Sequence, residues 1–74
     1  MNAYTLSEKA AIAIEAATFR NNLDNSNAQF CLDDANKCFE SGNYIAAFRW
    51  ALKSLAHGVG ILNPIYAEIT DLAA

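Results

Sequence analysis

Two cysteines, one histidine, an adjacent pair of aspartates and four serines are the residues of this chain whose types could do chemistry. Cys31 and Cys38 lie seven residues apart. On a helix that spacing is two turns, about 10 Å along one face. A disulfide needs Cα atoms within about 7 Å, so the pair cannot bridge inside one helix. Both are read as reduced, buried core thiols, a usage compatible with a reducing cytoplasm. A metal site needs more ligands than these thiols and the lone His57 supply, so no metal is expected. Asp33 and Asp34 are neighbours and point in different directions on a helix, so they make no paired carboxylate site. Asp33 with Lys37 has instead the four-residue spacing of a helical ion pair. Ser7, Ser26, Ser41 and Ser54 have no histidine beside them by motif. Gly58-x-Gly60 follows a helical stretch, whereas phosphate loops lie between a strand and a helix. Nothing assembles a nucleophile, a base and an orienting group, so the expectation is a non-enzymatic protein without a cofactor.

Binding chemistry is better represented. Arg49, Lys53 and His57 recur at four-residue steps and form the only cationic stripe of their segment. Such a stripe is either the solvated face of an otherwise buried helix or a contact for an acidic partner. His57 suits a surface role or a dipole contact at the helix C-terminus better than that of a catalytic base. Trp50, the sole tryptophan, sits beside the stripe, as a core residue or as an interface anchor. Near the N-terminus, Leu6, Ala10, Ala13, Ile14 and Ala17 form one apolar face and Ile12, Ala16, Phe19 and Leu23 a second, nearly opposite. Glu8 and Glu15 flank the second face. Another helix covers it, or it docks a partner or a second copy. Ile12, Phe19, Leu23, Arg49, Trp50 and Lys53 are therefore the candidate partner-binding residues.

The elements that must carry these residues are helical. Alanine, the best helix former, supplies 15 of 74 residues, and no useful stretch alternates as a strand would. Thr5 and Glu8 have capping-box spacing and start a first helix near Ser7 that runs to about Leu23. Asp24-Asn25-Ser26-Asn27 is a polar breaker, and Asn27 is the expected cap of a second helix over Ala28 to Ser41. Gly42 supplies a left-handed stop, and Asn43 caps a third helix from Tyr44 to about His57. Asn63-Pro64 reads as a cap with a first-turn proline, opening a short fourth helix to about Leu72. The expected inward stripes are Phe30, Cys31, Ala35, Cys38 and Phe39 in the second helix. In the third they are Ile45, Phe48, Leu52, Leu55 and Val59, and in the fourth Ile65, Ile69 and Leu72. Short loops favour antiparallel neighbours. The fold expectation is a single all-α domain over residues 1–74, a compact antiparallel bundle of three main helices plus a short C-terminal helix.

Charge narrows the partners. Eight acidic and five basic residues leave a formal charge of −3, and the cations are scattered. Nucleic-acid binding relies on clustered cations that displace counterions, so a protein partner is expected rather than nucleic acid. Glu8 and Glu15 interrupt the first apolar region, and no early cationic stretch precedes it, so no secretory leader is expected. The longest uncharged run, Ser54 to Ala67, is 14 residues and holds two glycines and a proline. A membrane-spanning helix needs about 20 residues. A soluble cytoplasmic protein is the expectation.

The segment from Ala35 to Leu55, with Gly42-x-Tyr44-x-x-Ala47 followed by the small Ser54 and then Leu55, resembles the turn and second helix of a tetratricopeptide repeat. Glycine turns the chain, an aromatic covers the turn, and small residues let the helices approach. The likeness spans about 25 residues, without the family's Trp, Leu and Gly pattern in the first helix, its closing proline or a second copy. The same motif looks like that of microtubule-interacting-and-transport domains, which are three-helix bundles of about this length. Both resemblances imply binding of helical or extended peptides. In size and style alone the chain also resembles phage-encoded anti-defence factors, including anti-CRISPR proteins. The functional expectation is a small protein-binding module, an inhibitor or decoy that covers a partner's surface. A homo-oligomeric structural protein, a peptide-binding adaptor and a nucleic-acid-binding regulator are the alternatives.

Overall fold

Each helix of the computed structural model, which describes residues 3–73, begins on a side chain that takes up its free amides. Helix α1, Leu6–Phe19, starts on Thr5. The Glu8 amide donates to Thr5 Oγ1 at 3.2 Å, and the Thr5 amide donates to Glu8 Oε1 at 2.9 Å. Hydrogen bonding from the Thr5 backbone amide foremost, and then from the Thr5 side chain, holds the Glu8 carboxyl below its ordinary value. A depressed carboxylate contributes stability above its unfolded pKa, about 4.3, and loses it as the pH falls through the folded value. An NMR titration is expected to find Glu8 titrating below an ordinary glutamate. Thr5→Pro, which removes both the amide hydrogen and the hydroxyl, should return it toward the ordinary value.

Helix α2 is Ser26–Glu40, and its cap is Asn25 rather than Asn27. Asn25 Oδ1 accepts from the amides of Asn27 and Ala28 at 2.9 and 3.1 Å. Helix α1 stops at Phe19, not near Leu23, because the Asn21 and Asn22 side chains take backbone amides of the connection. At the other end of α2, Gly42 has φ +82°. The Gly42 amide donates to Phe39 O and the Asn43 amide to Cys38 O, the paired bonds of a left-handed helix stop. Tyr44 closes the turn with its ring edge-on to Phe39, centroids 5.2 Å apart. Helix α3, Tyr44–Gly58, starts on Asn43, and α4, Pro64–Thr70, on Asn63, followed by a single 3-10 turn over Asp71–Ala73.

The three long helices pack on one another in an all-α bundle with α4 as a short addition. The molecule measures 31 × 27 × 16 Å. Its thin dimension is that of about two helix layers at 8–10 Å between axes. So thin a body encloses little volume, and its interior is mostly alanine. Ala10, Ala13, Ala16 and Ala17 of α1, Ala28 and Ala35 of α2, and Ala47 and Ala51 of α3 are buried. Cys31, Leu32, Leu55, Ile65 and Ile69 are the larger buried apolar residues. Several residues expected inside are therefore outside. Phe30, Ile45 and Leu6 are exposed, while Phe48, Leu52, Val59 and Leu72 pack on the core's margin. The reason is the closeness of the helices: where alanine faces alanine, larger residues are displaced to the edges of the contact.

One end of the bundle is stitched by polar groups. Ser54, fully buried in α3, donates through Oγ to Ala28 O of α2 at 2.6 Å. Asn21 Nδ2 donates to both Ser54 O and Ser54 Oγ at 3.0 Å. Asn25 Nδ2 donates to His57 O at 3.1 Å. The α1–α2 connection is thereby tied to the last turns of α3.

Asp33 accepts from Gln29 Nε2 at 2.9 Å and forms no ion pair with Lys37. Both cysteines are free, but only Cys31 is buried; Cys38 is half-exposed. Burial pushes the Cys31 thiol up, with Asp34 adding to the effect and Lys53 opposing it. At neutral pH, iodoacetamide is expected to modify Cys38 first, with Cys31 reacting only as the fold opens. Equal rates by mass spectrometry would contradict this placement.

Candidate functional site

Asn43 fixes the start of α3 and thereby the rotation of its outer face, along which Ile45, Arg49, Lys53 and His57 are all exposed. Trp50 sits half-buried beside them. Lys53 Nζ lies 4.9 Å from the Trp50 ring centroid, within range of a cation–π contact. Phe30 of α2 meets the same indole edge-on, with centroids 6.4 Å apart and planes at 78°. Arg49, Trp50 and Lys53 thus form one continuous patch, lining a shallow depression together with Ala46. On the other flank of Arg49 a groove of about 300 Å³ runs between α3 and α1, walled by Leu6, Phe48 and Leu52 and edged by Lys9.

The residues of the second α1 face have separate fates. Helix α4 covers part of that face, with Ile69 buried and closing a hollow against Ile12 and Ala16. Ile12 and Leu23 are partly buried against the core. Arg20 and Glu68 pair across the α1–α4 seam at 3.8 Å, both well exposed, a contact worth little in water. Phe19 alone stays open, 79% exposed. The structure therefore groups Arg49, Trp50 and Lys53, leaves Phe19 on a separate surface, and places Ile12 and Leu23 mainly in packing roles.

Two exposed apolar residues escaped the sequence reading. Ile61 and Leu62, between α3 and α4, are 64% and 95% exposed. The signal was present: they lie between Gly60, with φ +92°, and the Asn63-Pro64 cap, so neither helix can bury them. Phe30, 62% exposed, was misplaced for a different reason. Its position in the α2 stripe does not reveal that its ring pairs with Trp50 of α3 and stays outside the alanine-filled interior.

Among the described residues no group of three or more His, Cys, Asp or Glu is placed to hold a metal ion. No helix among them is long and apolar enough to cross a membrane. No protein-family model matches the chain, and no curated protein or solved structure matches it significantly.

Proposed function

We propose that this chain is a non-enzymatic protein-binding module that works in the cytoplasm by covering a surface of a larger partner. The observation that supports this reading is the inversion of its apolar residues. Alanines fill the interior, while Phe19, Phe30, Ile45, Ile61 and Leu62 are exposed. Large apolar side chains on the surface of a soluble domain are the usual material of interfaces. Its concrete form is an inhibitor or decoy of the anti-defence, anti-CRISPR type, acting by steric block.

The test is affinity capture from the native host's lysate, followed by reconstitution with the purified partner. Wild type is compared with Phe19→Ser/Leu62→Ser and with Arg49→Glu/Lys53→Glu. A stoichiometric complex weakened by at least one of these pairs is expected. Full retention by both pairs, or failure to reconstitute any complex, overturns the reading. Light scattering across concentration is expected to give a constant monomer mass; a rise to a defined oligomer would favour a self-associating structural protein instead.

A further inference from the structure

We propose that the outer face of α3 is a receptor for an acidic, amphipathic segment of a partner protein, with Arg49 and Lys53 as its charged spine and apolar walls on both sides. This rests on the reading of the chain as a protein-binding module and names the chemistry of what it binds.

Charge is the first argument. The protein carries a formal charge of −3, with eight acidic residues against five basic ones. Yet the exposed line of α3 from Ile45 to His57 contains no acid, and two of the five cations fall on it one turn apart. Among the described residues neither Arg49 nor Lys53 forms an ion pair; the ion pair seen there joins Arg20 and Glu68. Lys9, at the edge of the neighbouring groove, adds a third cation. Asp34 on α2 and Lys53 both lie near the buried Cys31 thiol and act on it in opposite senses, but Asp34 bridges to neither cation. A local positive strip on an acidic protein selects for negative charge and steers it to this face.

The walls are the second argument. Trp50 and Phe30 rise on the α2 side, the indole already loaded by Lys53. Leu6, Phe48 and Leu52 form the α1 side. A simple anion would make no use of these walls. A peptide carrying carboxylates four residues apart, with large apolar side chains flanking them, uses all three strips. Its acids would lie about 6 Å apart along a helix axis, the same rise that separates Arg49 from Lys53. Carboxylates can meet the Arg49 fork in paired hydrogen bonds.

Trp50 is the only tryptophan, so its fluorescence reads this surface directly. The probe is a synthetic helical peptide of about four turns with glutamates at four-residue spacing flanked by leucine and phenylalanine. Three comparison ligands accompany it: the same peptide with lysine for glutamate, the same peptide with alanine for leucine and phenylalanine, and a single-stranded oligonucleotide. The acidic amphipathic peptide is expected to shift Trp50 emission saturably and to bind at least about tenfold more tightly than each comparison ligand. Arg49→Glu/Lys53→Glu should weaken it by at least about tenfold, and Arg49→Gln/Lys53→Gln by less. Circular dichroism verifies that these exposed substitutions leave the helices intact. Equal binding of the lysine peptide, equal binding of the alanine peptide, tighter binding of the oligonucleotide, or no binding of any peptide overturns the proposal. A natural partner lost on Phe19→Ser/Leu62→Ser but retained on Arg49→Glu/Lys53→Glu would overturn it while leaving the protein-binding reading intact.

Discussion

Ala51→Leu is expected to remove about 3 kcal/mol of stability, the upper part of the usual range for overpacking. Ala51 is fully buried at the middle of α3, in a core cluster with Ala13 and Ala17 of α1 and Ala35 of α2. The methyl groups there set the distance between helices. A leucine brings three further carbons into a space with no slack, and the helices can accept them only by moving apart. That movement would strain the Ser54 Oγ bond to Ala28 O, which needs the α2 and α3 backbones close together. A domain of this size is stable by about 4–11 kcal/mol in total, so the loss is a large fraction. With a urea slope of about 1–1.5 kcal/mol per M, the midpoint should fall by roughly 2–3 M. Ala11→Leu, on the exposed side of α1, is the control and should stay within about 0.5 kcal/mol of wild type. Equal midpoints for the two variants would show that alanine packing does not set the helix spacing.

The second large effect changes sign with its background. A Cβ at Gly58 would overlap Asn21 Oδ1 and Cγ and approach Nδ2 to 2.8 Å. The Asn21 side chain cannot swing aside freely, because Nδ2 donates to Ser54 twice and Oδ1 accepts the Asn22 amide. Gly58→Ala should therefore cost about 2 kcal/mol through the lost bonds and the displaced loop. Asn21→Ala alone should cost about 1–2 kcal/mol. With Asn21 already reduced to alanine the obstacle is gone. Gly58→Ala then replaces a helical glycine and should stabilise by about 0.5–1 kcal/mol. The four proteins form a double-mutant cycle with a coupling of about 2–3 kcal/mol, read from denaturation midpoints. Additive losses would refute the interlock between the α1–α2 connection and the end of α3.

Both effects arise from contacts between segments far apart in sequence, and they mark where sequence reasoning ran out. Thr5 with Glu8, Gly42, Asn43 and Asn63-Pro64 each announced a helix boundary, and each acts as such. These signals are local: a side chain reaches amides within three residues of itself. The breaker before α2 was less legible because Asp24, Asn25, Ser26 and Asn27 are all capping residues. Only the geometry of the incoming chain, with Asn25 also reaching His57 O, selected Asn25. Arg49, Trp50 and Lys53 were legible as one patch because four-residue spacing alone places them together on a helix.

What the amino-acid order determined by itself was the helical class, the start and stop of most elements, and the cationic line of α3. Tertiary structure decided which apolar side chains face inward. Alanine counts as apolar on every face, so α1 carries two greasy sides and periodicity cannot rank them. The ranking came from proximity: α4 took Ile12 and Ala16, α2 and α3 closed on their alanines, and Phe19, Phe30 and Leu62 were left in water. Small residues permit close helix contacts, and a closely packed, two-layer body has no room for the large ones.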